Sequence, residues 1–95
     1  MKIIKRSGVE TNFDISKIIS AVERANNEVP ERERLSKDNI REISAQVTDA
    51  CESMNHAVSV EEIQDLVENQ IMNLKAFNVA RKYVTYRYRR ALVRK

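Results

Sequence analysis

The stretch Lys2-Ile3-Ile4-Lys5-Arg6-Ser7-Gly8-Val9-Glu10-Thr11-Asn12-Phe13-Asp14-Ile15-Ser16-Lys17-Ile18-Ile19 decides the fold, because its pattern changes from extended to helical part-way along. Two short β-prone runs flank Ser7-Gly8, a dipeptide suited to the positive φ angles of a two-residue hairpin turn. From Asp14, a good N-cap, Ile15, Ile18, Ile19, Val22 and Ala25 follow at helical spacing until Asn26-Asn27 and Pro30 end the pattern. A β-hairpin feeding a helix is the expected start of the domain.

Outward from this start, helical patterns dominate. Residues 30 to 35 are polar and charged and read as a solvated connection. Ser36 then caps a helix whose apolar stripe is Ile40, Ile43, Val47, Ala50, Cys51 and Met54. Asn55 to Val58 breaks the period and can add a short third strand. The run Ser59-Val60-Glu61-Glu62 has the form of a capping box opening a third helix through Ile63, Leu66, Val67 and Ile71. After a weak interruption at 73 to 76, a fourth pattern runs from Phe77 through Ala80, Val84 and Ala91. The expected class is α+β and mostly α: a four-helix cluster covered by an N-terminal β-hairpin, with room for a short third strand.

Ninety-five residues, 42% of them hydrophobic, suit one core rather than two, so residues 1–95 are read as a single domain. Gly8 and Pro30 are the only residues of their kinds, which favours long helices joined by few turns. The last helix runs to Arg94-Lys95 without a stop signal, as expected of the N-terminal part of a longer chain. No apolar run reaches the roughly 20 residues of a membrane span and no signal peptide is evident, so the expected compartment is the cytoplasm, with no membrane partner. One cysteine and one histidine are too few for a Cys/His zinc site, and no metal held by protein ligands is expected. Cys51 sits on an apolar stripe and reads as a buried thiol. His56, in a polar loop, reads as a bystander. No nucleophile–base set can be built around that one histidine, which argues against a catalytic centre in this segment.

The formal charge of +3 conceals an asymmetry, because residues 81 to 95 hold seven Lys/Arg and no Asp/Glu while the first 80 hold ten basic against fourteen acidic residues. Such a split points to an anionic partner. Lys5 and Arg6 stand before a glycine turn, where side-chain cations and backbone N–H groups can converge on phosphate. The same pair would also serve as charge protection of a sheet edge. Lys17 lies one turn into the first helix, near enough to its N-terminus to address the same anion. Arg81, Thr85 and Arg89, spaced by four, share a face of the fourth helix.

The segments Ile3-Ile4-Lys5-Arg6-Ser7-Gly8 and Phe13-Asp14-Ile15-Ser16-Lys17-Ile18 resemble the opening signature of the ATP-cone domain, and the likeness continues through Val58 to Glu68 and Val79 to Arg87. The resemblance implies an allosteric switch at the N-terminus of a ribonucleotide reductase. ATP or dATP, accompanied by Mg, would be the ligand, and the catalytic domain of the parent chain and other protomers would be the partners. It further implies that the strand backbone near Ile3 meets adenine, that Lys5, Arg6 and Lys17 contact phosphate, and that Val60, Gln64, Thr85 and Arg89 approach the nucleotide from the third and fourth helices. The ending Tyr83 to Arg90 looks most like the anaerobic reductases of ribonucleoside triphosphates. Three alternatives remain open on the residues, one of them a nucleotide-independent interaction module whose apolar stripes a neighbouring protomer completes. The basic, tyrosine-interleaved helix suits a nucleic-acid-binding module. A transcriptional regulator of reductase genes carries a similar domain behind a zinc ribbon, for which nothing before Met1 leaves room.

Overall fold

Four helices build the core, and the first three bury the stripe that their spacing defines. On the fourth, Phe77 and Val84, expected on the apolar stripe, are 51% and 42% exposed, and Val79 and Tyr83 are buried beside Ala80 instead, because packing against two neighbouring helices selects a different face. In the computed structural model, backbone is described for residues 2–4, 10–12, 15–54 and 56–93, and side chains for 16–54 and 56–89. The order is β1 (Lys2–Ile4), β2 (Glu10–Asn12), α1 (Ile15–Asn27), α2 (Lys37–Glu52), β3 (Val58–Ser59), α3 (Val60–Asn73) and α4 (Phe77–Val93), with a 3-10 turn at Glu31–Glu33. The expected Ser7-Gly8 turn and Asp14 cap lie outside the described residues.

α1 packs on α2 and α4, and α3 packs on the same two helices, so the four close into a ring with α2 and α4 across from one another. Its interior is filled by Val22 and Ala25 from α1, Ile43, Val47 and Cys51 from α2, Ile63, Val67 and Ile71 from α3, and Val79, Ala80 and Tyr83 from α4. Full burial of a Val or Ile side chain contributes about 1.5–3 kcal/mol, and Val67, Ile71 and Val79 are fully enclosed. Among the described residues no helix is long and apolar enough to cross a membrane.

Local chemistry sets the ends of α2 and α3. Ser36 Oγ accepts from the Asn39 N–H at 3.1 Å. At α3 the capping box is complete: Ser59 Oγ accepts from the Glu62 N–H at 3.1 Å, and Glu62 Oε2 accepts from the Ser59 N–H at 2.7 Å. With no glycine available, α3 ends through Lys75, a non-glycine residue in the left-handed region at φ 61°.

The connection between α1 and α2 departs from the solvated loop expected of its charge. Val29 and Leu35 are both buried, at 4% and 7% exposure, and Asn26 at the end of α1 is buried with them. Its side chain spans the connection, Nδ2 donating to the Leu35 carbonyl at 3.1 Å while Oδ1 accepts from the Leu35 N–H at 2.7 Å. Two apolar residues among five charged neighbours carry no periodic signal, and a buried amide that satisfies a loop backbone cannot be read as such from local sequence.

The strands form one sheet in the order β2-β1-β3. β1 and β2 are antiparallel, with Ile3 opposite Thr11, and β1 and β3 are parallel, with Ile3 opposite Val58 and Ile4 opposite Ser59. Val58 is completely buried, which anchors the sheet to the helices. Ser59 therefore has two duties, as the last residue of β3 and the N-cap of α3.

Candidate functional site

Side-chain contacts fix the direction of α4 against its neighbours. Arg24 of α1 lies 6.0 Å from the Tyr86 ring centroid. Further on, Glu28 and Val29, just past α1, share a groove with Asn78, Arg81, Lys82 and Thr85. The later residues of α1 thus meet the earlier residues of α4, and the two run antiparallel. On its other flank Arg87 donates through Nη1 to Asp65 Oδ1 and to Glu68 Oε1, each at 2.9 Å, so α4 is antiparallel to α3 as well. α1 and α3 must then point the same way. Their N-termini share one end of the ring with the later turns of α4, and β2 and β3 enter the helices at that end.

The two helix N-termini at this end of the ring each supply oriented N–H groups and a positive dipole end, the elements of an anion site. The two are not equivalent. α3 carries Glu61 and Glu62 in its first turn, and Glu62 is already bound to Ser59. α1 has no acidic residue in its first turn and exposes Lys17 there. A phosphate group is therefore better matched to the α1 end, and the half-buried Val60 and Gln64 on α3 to a less charged part of a ligand.

Each expected site residue can now be placed. Ile3 sits in the middle strand of the sheet, and β1 stops at Ile4 opposite the α3 cap. Lys5 and Arg6 follow next in sequence and lie outside the described residues. Lys17, Val60 and Gln64 occupy the first turns of the two helices at the sheet end. Arg89 is exposed in the later turns of α4. Thr85 lines the groove beside Glu28, Val29 and Pro30, its Oγ1 donating to the Arg81 carbonyl at 3.0 Å. Ile3, Lys17, Val60 and Gln64 thus all lie toward the sheet end, while Thr85 stands farther down the α1–α4 seam.

Several groups around the site were not legible in advance. Burial works against the charge of Arg87, but the hydrogen bonds it donates to Asp65 and Glu68 outweigh it and hold the guanidinium above its ordinary pKa. This fork locks α4 to α3 across the turn that follows Gln64. The spacing of Asp65 and Glu68 would have shown two carboxylates on neighbouring turns, but not which of seven cations they meet. Glu62 is held below the usual carboxylate range by the Ser59 backbone N–H and by His56. His56, expected to be idle, has its Nε2 at 3.3 Å from Glu62 Oε1. Cys51 is buried, and burial followed by Glu62 and Glu52 pushes its thiol pKa up. Among the described residues no group of three or more His, Cys, Asp or Glu side chains could hold a metal ion.

A family model described as the ATP cone domain matches residues 1–92. The chain belongs to the ATP-cone family. This ATP-cone is 30% identical over 102 residues to the ribonucleoside-diphosphate reductase subunit alpha of Chlamydia trachomatis serovar D, an alignment covering 99% of the chain and 10% of the relative. It is 31% identical to the same subunit of Chlamydia muridarum, with 99% and 10% covered, and 31% identical to that of Chlamydia pneumoniae, with 97% and 9% covered. The chain spans about a tenth of the length of the curated relatives it matches. These relatives are named as diphosphate reductases, so the expectation of an anaerobic triphosphate-reductase type finds no support in them. A run of tyrosines and arginines on one helix was too short a feature to separate reductase types.

Proposed function

We propose that this ATP-cone is an allosteric adenine-nucleotide sensor, responding to ATP and dATP and controlling the overall activity of a ribonucleotide reductase of which it forms the N-terminal domain. The observation that carries the reading is the ATP-cone match along residues 1–92, joined to the meeting of sheet, α1 N-terminus and α3 N-terminus at one end of the ring. The adenine lies against the strand backbone near Ile3, the phosphates with their Mg meet Lys5, Arg6 and Lys17, and Val60 and Gln64 close the α3 side. Thr85 and Arg89 form the outer, α4 flank. The reductase chemistry belongs to a catalytic domain elsewhere in the parent chain, in the cytoplasm.

Sensing follows from rigidity at this end. A nucleotide can shift an equilibrium only by binding two states differently. Because Ser59 belongs to both sheet and helix, a ligand that draws β1 toward α1 also moves the start of α3, and through the Arg87 fork α4 follows. Such a movement gives other protomers and the catalytic domain something to read.

Isothermal titration of the folded chain with ATP and with dATP tests the proposal. Lys5→Ala should weaken binding by roughly 1.5–3 kcal/mol, the range for a charge-assisted contact, or about ten- to a hundredfold in Kd. Lack of measurable binding by the unaltered domain would sink the sensor reading, and unchanged affinity in Lys5→Ala would remove that residue from the site.

A further inference from the structure

His56 is the single histidine of the chain, and the fold sets it at the junction between sheet and helix. Its Nε2 lies 3.3 Å from Glu62 Oε1, while Glu62 Oε2 accepts from the Ser59 N–H at 2.7 Å. One carboxylate therefore joins the imidazole to the residue that ends β3 and caps α3. Ser59 is paired with Ile4 across the parallel β1–β3 ladder, and Lys5 and Arg6 follow Ile4 in the chain. With strands about 4.8 Å apart, the pair stands on the order of 10 Å from the strand end that leads into the proposed phosphate site. Imidazole is the side chain whose charge changes around neutral pH. With His56 neutral, Glu62 presents a full negative charge to this end of the ring; with His56 protonated, the pair is neutral. Glu62 itself stays ionised, since the Ser59 N–H and then His56 hold it below the usual carboxylate range. The other titratable groups around the pair are Glu61 on α3, and Cys51 and Glu52 on α2, where burial and then Glu62 and Glu52 push the thiol up. On the sheet, Lys2 belongs to β1 and Glu10 to β2. These are carboxylates, a lysine and a thiol, none of the type that switches charge near about pH 6.5.

We infer that nucleotide binding at the sheet end is coupled to proton uptake by His56, so that the domain holds ATP and dATP more tightly as pH falls through the range in which the imidazole titrates. The inference rests on the sensor reading and adds a second input to it, acidity. Its sign follows from charge: protonation cancels the negative charge of Glu62 beside the place where a polyphosphate must sit. Its size is modest, because both side chains are exposed. Screened over a Debye length of about 10 Å at 0.1 M salt, one unit of charge at this range changes the affinity for a polyphosphate about two- to fivefold. Coupling between two ligands is reciprocal. Bound nucleotide must therefore raise the midpoint of the His56 titration by the logarithm of the same factor, about 0.3–0.7 pH unit.

Because the chain has one histidine, its Cε1–H resonance can be followed by NMR without overlap. The titration is run between about pH 5 and 8, first without ligand and then saturated with ATP, with Mg in excess to keep the phosphates ionised. The midpoint should rise by about 0.3–0.7 unit on saturation, and by less at about 0.5 M salt. Calorimetry should show ATP bound about two- to fivefold more tightly at low than at high pH within the same range. His56→Gln keeps a hydrogen-bond donor for Glu62 but has no charge to gain, so it should flatten this dependence without abolishing binding. The position is exposed, and far-UV circular dichroism checks that the variant is folded at both ends of the range. A role confined to capping α3 would shift Tm and leave the midpoint indifferent to nucleotide. A midpoint that stays in place or falls on saturation overturns the inference and leaves the sensor reading standing, as does an equal pH dependence in His56→Gln. Absence of ATP binding at every pH sinks both.

Discussion

Asn26→Ala removes the amide that joins the end of α1 to the start of α2, and its cost can be worked from the contacts. The substitution deletes two hydrogen bonds, at 3.1 and 2.7 Å, both to the backbone of Leu35. A net hydrogen bond is worth about 1 kcal/mol, but a buried group left without a partner costs about 1–3 kcal/mol. Leu35 is only 7% exposed, so water recovers part of one backbone group at best. The expected loss is roughly 2–4 kcal/mol, taking one bond as cheaply rehydrated and the other as orphaned. At about 4–8 °C per kcal/mol for a domain of this size, Tm should fall by roughly 10–25 °C. Asn26→Asp keeps the acceptor for the Leu35 N–H but loses the donor to the carbonyl, and should also destabilise. Thermal melts followed by circular dichroism, with urea titration to check that the m-value is unchanged, measure both. A Tm drop below about 3 °C for Asn26→Ala would refute the argument that this amide organises the connection.

Two further outcomes follow from burial. Tyr83, 2% exposed, has its phenol pushed up to about 12, chiefly by burial. Its folded pKa lies above the ordinary value near 10, so the stability it contributes is fully present below about pH 10 and is lost as pH rises toward 12. Ultraviolet titration should show one tyrosine ionising late, and Tyr83→Phe should remove that late step. Cys51 should alkylate slowly with iodoacetamide in the native chain and fast in urea, since burial withholds the thiolate. Equal rates in the two conditions would place the thiol at the surface.

What could be read in the sequence is what depends on near neighbours. α2 and α3 begin where Ser36 and Ser59 stand because a hydroxyl can reach an N–H three residues on, a relation contained within one turn. The apolar stripes of α1, α2 and α3 named most of the residues that fill the ring for the same reason, since helical periodicity is a local property, but the stripe read on α4 put Val84 inside, where it is 42% exposed, and passed over Val79 and Tyr83. The family was legible through resemblance, in the runs at residues 3–8 and 13–18. Relations between distant segments were not. Val29 and Leu35 enter the core because Asn26 folds the connection inward, and the charges around them hide it. The parallel pairing of β3 with β1 places the α3 cap at the end of the first strand, a placement that no spacing in the chain specifies. Only the antiparallel packing of α4 on both α1 and α3 brings Lys17, Val60 and Gln64 to one end of the ring. Hydrophobic period chooses which side of a helix is buried; which neighbour buries it is decided by packing, because burial of apolar surface is nondirectional until shape and polar contacts select a partner.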